Sequence, residues 1–296
     1  MKIFLTGANG QVGWELRRTL APLGEVTALD YPEIDFTAPT SLGALVERIA
    51  PAVIVNAAAY TAVDRAESEP ELAMKVNAEA PRALARAANR VGAIMVHYST
   101  DYVFDGRKQG AYTEVDAPAP LNVYGRSKLA GDEAVRDECP LHFVLRTSWV
   151  YGARGNNFLL TILKRGREQS ELRVVDDQVG APTWSRMIAE ATAQVLARGM
   201  TRDGVDPAWI KSVSGLYNVT AGGTTSWYEF ARKILTLGGV ETRVVPISSA
   251  EYKSAASRPL NSALDCGKLE RAFGLRVPSW DHALTLCVDG LRQGAT

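Results

Sequence analysis

Residues 2–16 read KIFLTGANGQVGWEL, and they predict a strand, a tight turn and the start of a helix. Three glycines mark the turn in the spacing Gly-x-x-Gly-x-x-Gly. Gly7 permits a tight turn, Gly10 lets the backbone approach a pyrophosphate, and Gly13 allows the helix to pack closely on the strand. The helix N-terminus then offers free N–H groups to phosphates, so a dinucleotide is the predicted ligand. The predicted cofactor contacts in this turn are Gly7, Asn9, Gly10, Gln11, Val12 and Gly13.

Short apolar runs alternate with amphipathic segments through the first half of the chain. Strands are predicted over residues 2–6, 25–30, 52–58, 93–99 and 142–148, and helices over 12–23, 40–49, 71–91 and 124–138. Strands joined by helices of this length imply right-handed crossovers and a parallel sheet. The predicted fold class is therefore α/β, with a Rossmann-like doubly wound parallel sheet.

The regularity weakens after residue 148. Helices are predicted near 158–168, 184–198, 226–237 and 280–291, and strands near 172–175 and 216–219. We expect residues 1–150 to form a dinucleotide-binding domain that parts of about 184–222 complete. Residues 151–183 and 223–296 are expected to form a smaller, interleaved α/β lobe that binds the substrate.

Composition and charge exclude several classes of protein. The 296 residues include 33 Lys and Arg and 33 Asp and Glu, so the formal net charge is zero. A nucleic-acid partner is not expected, because such proteins carry a basic excess. Cys139, Cys266 and Cys287 form no Cys-x-x-Cys pair, which favours a reduced compartment over a zinc site. Neither a signal peptide nor a membrane helix is predicted, so the expected location is the cytoplasm, without a membrane partner.

An acidic residue ends the second predicted strand. Asp30 follows Gly13 by 17 residues, a position where a carboxylate can bind the adenosine ribose 2′-hydroxyl. No Lys or Arg lies between Asp30 and Arg48, so local electrostatics favour NADH; an aspartate that caps a turn is the alternative. Asp35 and Phe36 are predicted at the adenine edge, with loop packing as the alternative.

Small residues follow the third predicted strand, where residues 57–61 read AAAYT. They allow the backbone to pass close to the nicotinamide half of the cofactor. Ala59, Tyr60 and Thr61 are therefore predicted cofactor contacts, and packing alone is the alternative.

Tyr124 and Lys128 lie four residues apart in a predicted helix, so both project from one face. A nearby ammonium favours the phenolate and lowers the pKa of a tyrosine. Such a phenol can donate a proton to a carbonyl oxygen while hydride reaches the carbon. Ser99 or Thr100, at the end of the fourth strand, faces the same crevice and could bind the substrate oxygen. An isolated Tyr-x-x-x-Lys match is more often a surface pair, and the order of the motifs along the chain favours the catalytic interpretation.

Motifs spread over nearly the whole chain carry a resemblance to a known family. They are residues 10–16 (GQVGWEL), 55–64 (VNAAAYTAVD), 98–104 (YSTDYVF), 120–125 (PLNVYG), 146–151 (RTSWVY), 155–158 (GNNF), 177–183 (DQVGAPT) and 258–259 (RP). Together they resemble the dTDP-4-dehydrorhamnose reductase family of the extended short-chain dehydrogenase/reductase superfamily.

The resemblance implies the last step of dTDP-L-rhamnose synthesis, in which NADPH or NADH reduces the C4 ketone of dTDP-4-dehydro-L-rhamnose. It implies that Tyr124 donates the proton to O4, that Lys128 binds the nicotinamide ribose and lowers the pKa of Tyr124, and that Thr100 hydrogen-bonds the carbonyl. The implied substrate contacts are Thr100, Asp101, Tyr102 and Trp149. For Trp149, packing behind the sheet is the alternative.

Several alternatives stay open at this point. The sequence does not decide between NADPH and NADH. A homodimer is also expected, and no pattern in the sequence tests it. Some members of the family carry Mg²⁺, for which Glu15 and Glu190 stand in matching motifs, although such glutamates are usually solvated. An epimerase or 4,6-dehydratase of the superfamily is the rival enzyme, but residues 100–102 supply only one carboxylate of the pair that a dehydratase needs. A non-catalytic regulatory subunit on the same fold is the rival from another class.

Overall fold

The computed structural model describes residues 1–201 and 204–293. Six parallel strands of the described chain form one sheet, and in chain order they are β1 (Lys2–Thr6), β2 (Glu25–Leu29), β3 (Val53–Asn56), β4 (Ile94–Thr100), β5 (His142–Thr147) and the strand Gly215–Asn218. Their spatial order is Gly215–Asn218, β5, β4, β3, β1, β2. The order reverses between β1 and β3, which creates a crevice at the carboxyl ends of these strands. The predicted α/β, Rossmann-like class is confirmed.

Helices cover both faces of this sheet. One face packs against α1 (Gln11–Thr19) and the helix Ser185–Arg198. The other face packs against the helices Pro39–Ile49, Ala80–Val91 and Val123–Glu138. Central strands covered on both sides must be apolar throughout, and successive residues of β3 are indeed buried in the two cores in turn.

A second layer of structure packs around its own core in the later part of the chain. Its helices are Phe158–Glu168, Trp227–Gly238 and Trp280–Gln293. The strands Glu171–Val175 and Arg243–Ile247 pair in parallel beside them. The second strand was not predicted, because Pro246 removes a ladder donor and marks such a run as an edge or a loop.

Shorter elements complete the described chain. The helical ones are Ala21–Leu23, Val63–Ala66, Asp101–Val103, Pro207–Val213, Ser249–Tyr252 and Gly267–Phe273. The short strand pairs are Val150–Tyr151 with Thr183–Trp184, Val179–Gly180 with Thr225–Ser226, and Met200–Thr201 with Gly204–Val205. No helix of the described residues is long and apolar enough to cross a bilayer.

Two predicted helices differ in detail. The one predicted over 12–23 ends at Thr19 and is followed by a separate turn, because Pro22 has no N–H for a continuing helix. The one predicted over 71–91 begins with Pro70–Met74 and contains a π-helical turn, Lys75–Glu79, before Ala80–Val91. That turn carries the buried Asn77, whose amide bonds both backbone groups of Tyr60, and π turns of this kind often occur at functional sites.

Candidate active site

A groove of about 550 Å³ opens at the carboxyl ends of β1, β3 and β4. It brings together most of the predicted cofactor and catalytic residues, namely Gly7, Asn9, Gly10, Gln11, Val12, Asp30, Phe36, Ala59, Thr61, Tyr124 and Lys128. Gly155 and Asn156, from a loop after β5, close one side of it. The residues were predicted from separate stretches of the chain, and the sheet topology unites them.

The glycine turn is built for close backbone approach. Gly7 has a φ of +70°, a region that favours glycine. A Cβ on Gly13 would lie 2.0 Å from the Gly7 carbonyl oxygen, so α1 can start this close to the turn only with glycine there. No side chain caps the N-terminus of α1, which leaves its first N–H groups free for phosphate oxygens. These features fit a dinucleotide pyrophosphate.

Asp30 is fixed at the edge of the groove by two backbone donors. The N–H of Asn9 donates to its Oδ2 and the N–H of Tyr31 to its Oδ1, each at 2.8 Å. The carboxylate therefore caps the turn and at the same time faces the groove. A role as a turn cap and a role as a ligand of the adenosine ribose are thus compatible.

Three predicted cofactor residues do not line the groove. Gly13 packs behind the turn, as described above. Asp35 is exposed and accepts hydrogen bonds from the backbone and hydroxyl of Thr37, which lower the pKa of its carboxyl. Tyr60 donates its phenol to Glu69 at 2.7 Å. The sequence pattern gave no indication of these side-chain directions.

The helix Val123–Glu138 carries Tyr124 in its first turn. Asn122 caps this helix by accepting from the N–H of Gly125 at 2.7 Å and donating to the Ser257 carbonyl at 2.8 Å. A Cβ on Gly125 would lie 2.2 Å from the Tyr102 carbonyl oxygen. The cap and this close contact together hold the first turn of the helix against the end of β4.

Tyr124 is hydrogen-bonded to Thr100, and its ring packs edge-on against Tyr102 with 5.6 Å between centroids. Burial raises the pKa of Tyr124 above its ordinary value, and the bond to Thr100 opposes that rise. The expected lowering of this pKa by Lys128 is not found, because burial outweighs it. Such a tyrosine holds its proton at neutral pH and can act as an acid. Ser99, the other candidate hydroxyl, lines the groove, whereas Thr100 does not. The Ser99 hydroxyl donates to Asp132 at 2.7 Å.

Lys128 lies one turn further along and is only 2% exposed. Its Nζ donates to the Tyr98 carbonyl at 2.6 Å and lies 3.4 Å from His97 Nε2. Burial lowers the pKa of Lys128 to about 8, and the charge of Asp132 opposes that fall. Below pH 8 the groove therefore contains a buried ammonium.

A buried polar network lies behind Lys128. Asp132 is 3.4 Å from Arg146 Nε and accepts from Ser99. On the other side His97 is paired with the Asn56 amide at 3.1 Å, and Asn56 accepts from a hydroxyl of β1 at 2.7 Å. Sequence reasoning missed this network. The contact between Asp132 and Lys128 could have been predicted, because the two residues are four apart and share one helical face.

Asp101 and Tyr102 follow Thr100 in a short helical turn. Tyr102 is hydrogen-bonded to Arg258, which in turn holds Asp64 through two nitrogens at 2.7 and 3.1 Å. This chain of contacts ties the segment around Arg258 to the mouth of the groove. Arg258 was part of a family motif, but its contacts were not predicted.

Trp149 has a φ of +47°, which is strained for a bulky side chain. Its ring stacks on Trp227 with 3.6 Å between centroids and an interplanar angle of 7°. A Cβ on Gly180 would lie 2.5 Å from this ring. Trp149 therefore contacts Trp227 and lies against Gly180, next in sequence to Val150 of the groove. Sequence reasoning missed Trp227.

Burial raises the pKa of Glu190, Arg186 opposes that rise, and the charge of Glu15 adds to it. Arg18 and Arg186 approach Glu15 Oε2 at 2.6 and 3.3 Å. No group of three or more His, Cys, Asp or Glu within residues 1–201 and 204–293 could hold a metal ion. Because arginines already neutralise Glu15, these two glutamates alone do not fit a magnesium ion within the described residues.

Known proteins resemble this chain along nearly its whole length. The family model described as RmlD substrate binding domain matches residues 1–293. A dTDP-4-dehydrorhamnose reductase of Burkholderia thailandensis is 48% identical over 299 residues, covering 98% of this chain and 99% of that protein. Another, of Salmonella typhimurium, is 46% identical over 293 residues and covers 95% of each. The crystal structure of the Bacillus anthracis dTDP-4-dehydrorhamnose reductase in complex with NADP has a TM-score of 0.90 and 36% identity, covering 98% of this chain and 99% of that one.

Proposed function

The chain belongs to the dTDP-4-dehydrorhamnose reductase family and is an NAD(P)H-dependent oxidoreductase, and from this we propose that it reduces the C4 ketone of dTDP-4-dehydro-L-rhamnose to dTDP-L-rhamnose with Tyr124 as the proton donor. One observation carries the proposal. Tyr124, Thr100 and Lys128 converge at the same end of the sheet as the glycine turn, so a proton donor lies beside the predicted dinucleotide site.

The chain's own residues hold the ketone and supply the proton. Tyr124, kept protonated by burial, gives its proton to O4, and the Thr100 hydroxyl positions the Tyr124 phenol for this transfer. The reduced nicotinamide, when bound, supplies the hydride to C4. The Lys128 ammonium lies on the same helical face and stabilises the negative charge that develops on the Tyr124 oxygen. Holding the groups in this order removes the entropic cost of bringing them together.

We also propose that the two lobes bind different ligands. Residues 1–150, with parts of about 184–222, would bind the dinucleotide, while 151–183 and 223–296 would bind the sugar nucleotide. Asp101, Tyr102 and Trp149 would border the sugar. Tyr102 presents a phenol held by Arg258, and Trp149 presents a ring that Trp227 keeps in place. A cytoplasmic homodimer is the expected form of the enzyme.

The purified chain is expected to consume NADH or NADPH when dTDP-4-dehydro-L-rhamnose is added, with dTDP-L-rhamnose as the product. The reduced-nicotinamide absorbance follows the reaction, and chromatography of the sugar nucleotide identifies the product. The UDP-linked 4-keto sugar tests base selectivity in the same assay. Tightly bound NAD in the purified protein with no net consumption would favour an epimerase, and binding without turnover would favour a non-catalytic subunit.

Asp30→Asn is expected to raise the ratio of kcat/KM for NADPH to that for NADH by about tenfold, or about 1.4 kcal/mol. The substitution removes a negative charge that faces the position of a 2′-phosphate. The amide oxygen can still accept from the Asn9 N–H, and the bond from the exposed Tyr31 N–H is lost. Glu33→Gln is the matched control, since Glu33 is exposed in the same loop and does not line the groove. An unchanged cofactor ratio in Asp30→Asn would show that Asp30 does not face the ribose.

A further inference from the structure

A second acid lies directly beside the proposed proton donor. Asp101 is 2% exposed and follows β4 without an intervening residue. Its Oδ1 accepts from the Thr100 hydroxyl at 3.1 Å, and its Oδ2 has no hydrogen-bond partner among the described residues. An ionised group buried with an unpartnered oxygen is costly, so this position favours a carboxyl group that can take up a proton.

Thr100 connects this carboxyl group with Tyr124. Its hydroxyl donates to Asp101, accepts from the N–H of Tyr102 at 3.2 Å, and is hydrogen-bonded to the Tyr124 phenol. A hydroxyl has one hydrogen and two lone pairs. When Asp101 is ionised, the Thr100 hydroxyl donates to its carboxylate. When Asp101 is protonated, its carboxyl group can donate to the Thr100 oxygen, and the Thr100 hydrogen then goes to the Tyr124 oxygen, which is the direction in which this bond lowers the pKa of Tyr124. Phenol, hydroxyl and carboxylate therefore form one continuous chain of hydrogen bonds.

We propose that Asp101 stores the proton that restores Tyr124 after each reduction and that Thr100 relays it. This inference rests on the reductase function proposed above. When Tyr124 has given its proton to O4, the Thr100 O–H proton moves to the phenolate oxygen, and the carboxyl proton of Asp101 moves to the Thr100 oxygen. Tyr124 and Thr100 are then restored, Asp101 is a carboxylate, and nothing is oxidised or reduced. A proton from solvent returns to Asp101 when the product leaves.

The ionisation of the two acids favours transfer in this direction. Burial raises the pKa of Asp101 to about 6, and the nearby hydroxyls of Ser262 and Thr100 oppose that rise. The titratable groups that face it are the phenols of Tyr102, on its own turn, and Tyr124, on the helix, and Arg258 hydrogen-bonds Tyr102. Because Tyr124 holds its proton much more tightly than Asp101, moving a proton from the carboxyl group to the phenolate is downhill. The negative charge of Asp101 raises the pKa of Tyr124 further.

Asp101→Asn tests the relay, since the amide keeps the shape and can still accept from Thr100 but cannot deliver an acid proton. With rapid mixing at saturating cofactor and substrate, the first turnover is expected at nearly the wild-type rate, because Tyr124 begins as a phenol. Later turnovers are expected to be about tenfold slower or more, which gives a burst of one oxidised cofactor per site. In the wild type the steady-state rate is expected to fall as pH rises through about 6, and in Asp101→Asn this dependence is expected to disappear.

Ser262→Ala gives a second, independent readout. Removing a nearby hydroxyl that lowers the pKa of Asp101 is expected to move the wild-type pH midpoint upward without abolishing turnover. Equal slowing of the first and later turnovers in Asp101→Asn, with an unchanged pH profile, would mean that Asp101 only positions the substrate and would overturn the relay. Wild-type turnover in both variants would overturn it as well. Failure of the wild-type protein to reduce the ketone would instead refute the proposed function itself.

Discussion

Tyr124→Phe is expected to lower kcat by about 10²–10⁴, the usual contribution of a general acid, with the Kd of the reduced cofactor unchanged within about twofold. Phenylalanine keeps the ring that packs against Tyr102 but cannot protonate O4. The glycine turn, Asp30 and the rest of the groove wall stay as they are, so cofactor binding has no reason to weaken. The loss should therefore appear almost entirely in the chemical step.

Single-turnover and steady-state rates, together with a fluorescence titration of the reduced cofactor, measure the two quantities separately. Tyr217→Phe is the matched control, because Tyr217 is a buried tyrosine outside the groove whose phenol donates to the Val213 carbonyl at 2.6 Å. This control is expected to lose stability of about 1 kcal/mol and to keep its kcat. Near-normal turnover in Tyr124→Phe would refute the assignment of the proton donor.

The glycine turn, the parallel sheet and the Tyr124–Lys128 pair were all accessible to sequence reasoning, because each depends on residues close together in the chain. The glycines act within one strand-to-helix connection, and the tyrosine and lysine share one helical face. Their meeting in one groove then follows from a general property of parallel sheets, since strand ends with the same direction lie at the same edge.

The supporting contacts were beyond the sequence pattern, because they join distant segments through the sheet. His97 and Asn56 meet across neighbouring strands, and Trp149 meets Trp227 from another part of the chain. Tyr60 shows a different limit. Its position after β3 was predictable, but the direction of its ring depends on Glu69, which accepts its phenol. Periodicity indicates which face of an element is buried, and it does not indicate which polar partners meet there.

The pair of Asp132 and Arg146 is expected to have the largest effect on stability of the changes considered. Both side chains are almost fully buried, and Arg146 also lies over the Phe104 ring at 5.1 Å. Asp132→Asn leaves the guanidinium without its carboxylate, and arginine cannot escape by losing its proton. The free energy of unfolding is expected to fall by about 3–5 kcal/mol. Urea titration at pH 7 measures it, and the surface variant Glu133→Gln on the same helix is expected to stay within about 0.5 kcal/mol of the wild type.

Arg146→Met removes the other member of the pair. Its effect on the free energy of unfolding is expected to depend on pH, whereas that of Asp132→Asn is not. Burial already raises the pKa of Asp132, and Arg146 opposes that rise, so Arg146→Met raises it further. A carboxyl group whose folded pKa is above its unfolded pKa binds more protons in the folded state, and stability then increases as pH falls from the folded pKa to the unfolded one. Arg146→Met is therefore expected to be less destabilised at pH 5 than at pH 8.

The double variant Asp132→Asn/Arg146→Met, which removes both charges, is expected to regain much of the loss, because replacing a whole buried pair costs far less than breaking it. Additive losses in the double variant would mean that the two charges do not stabilise each other, and that Asp132 acts mainly through Ser99 and Lys128.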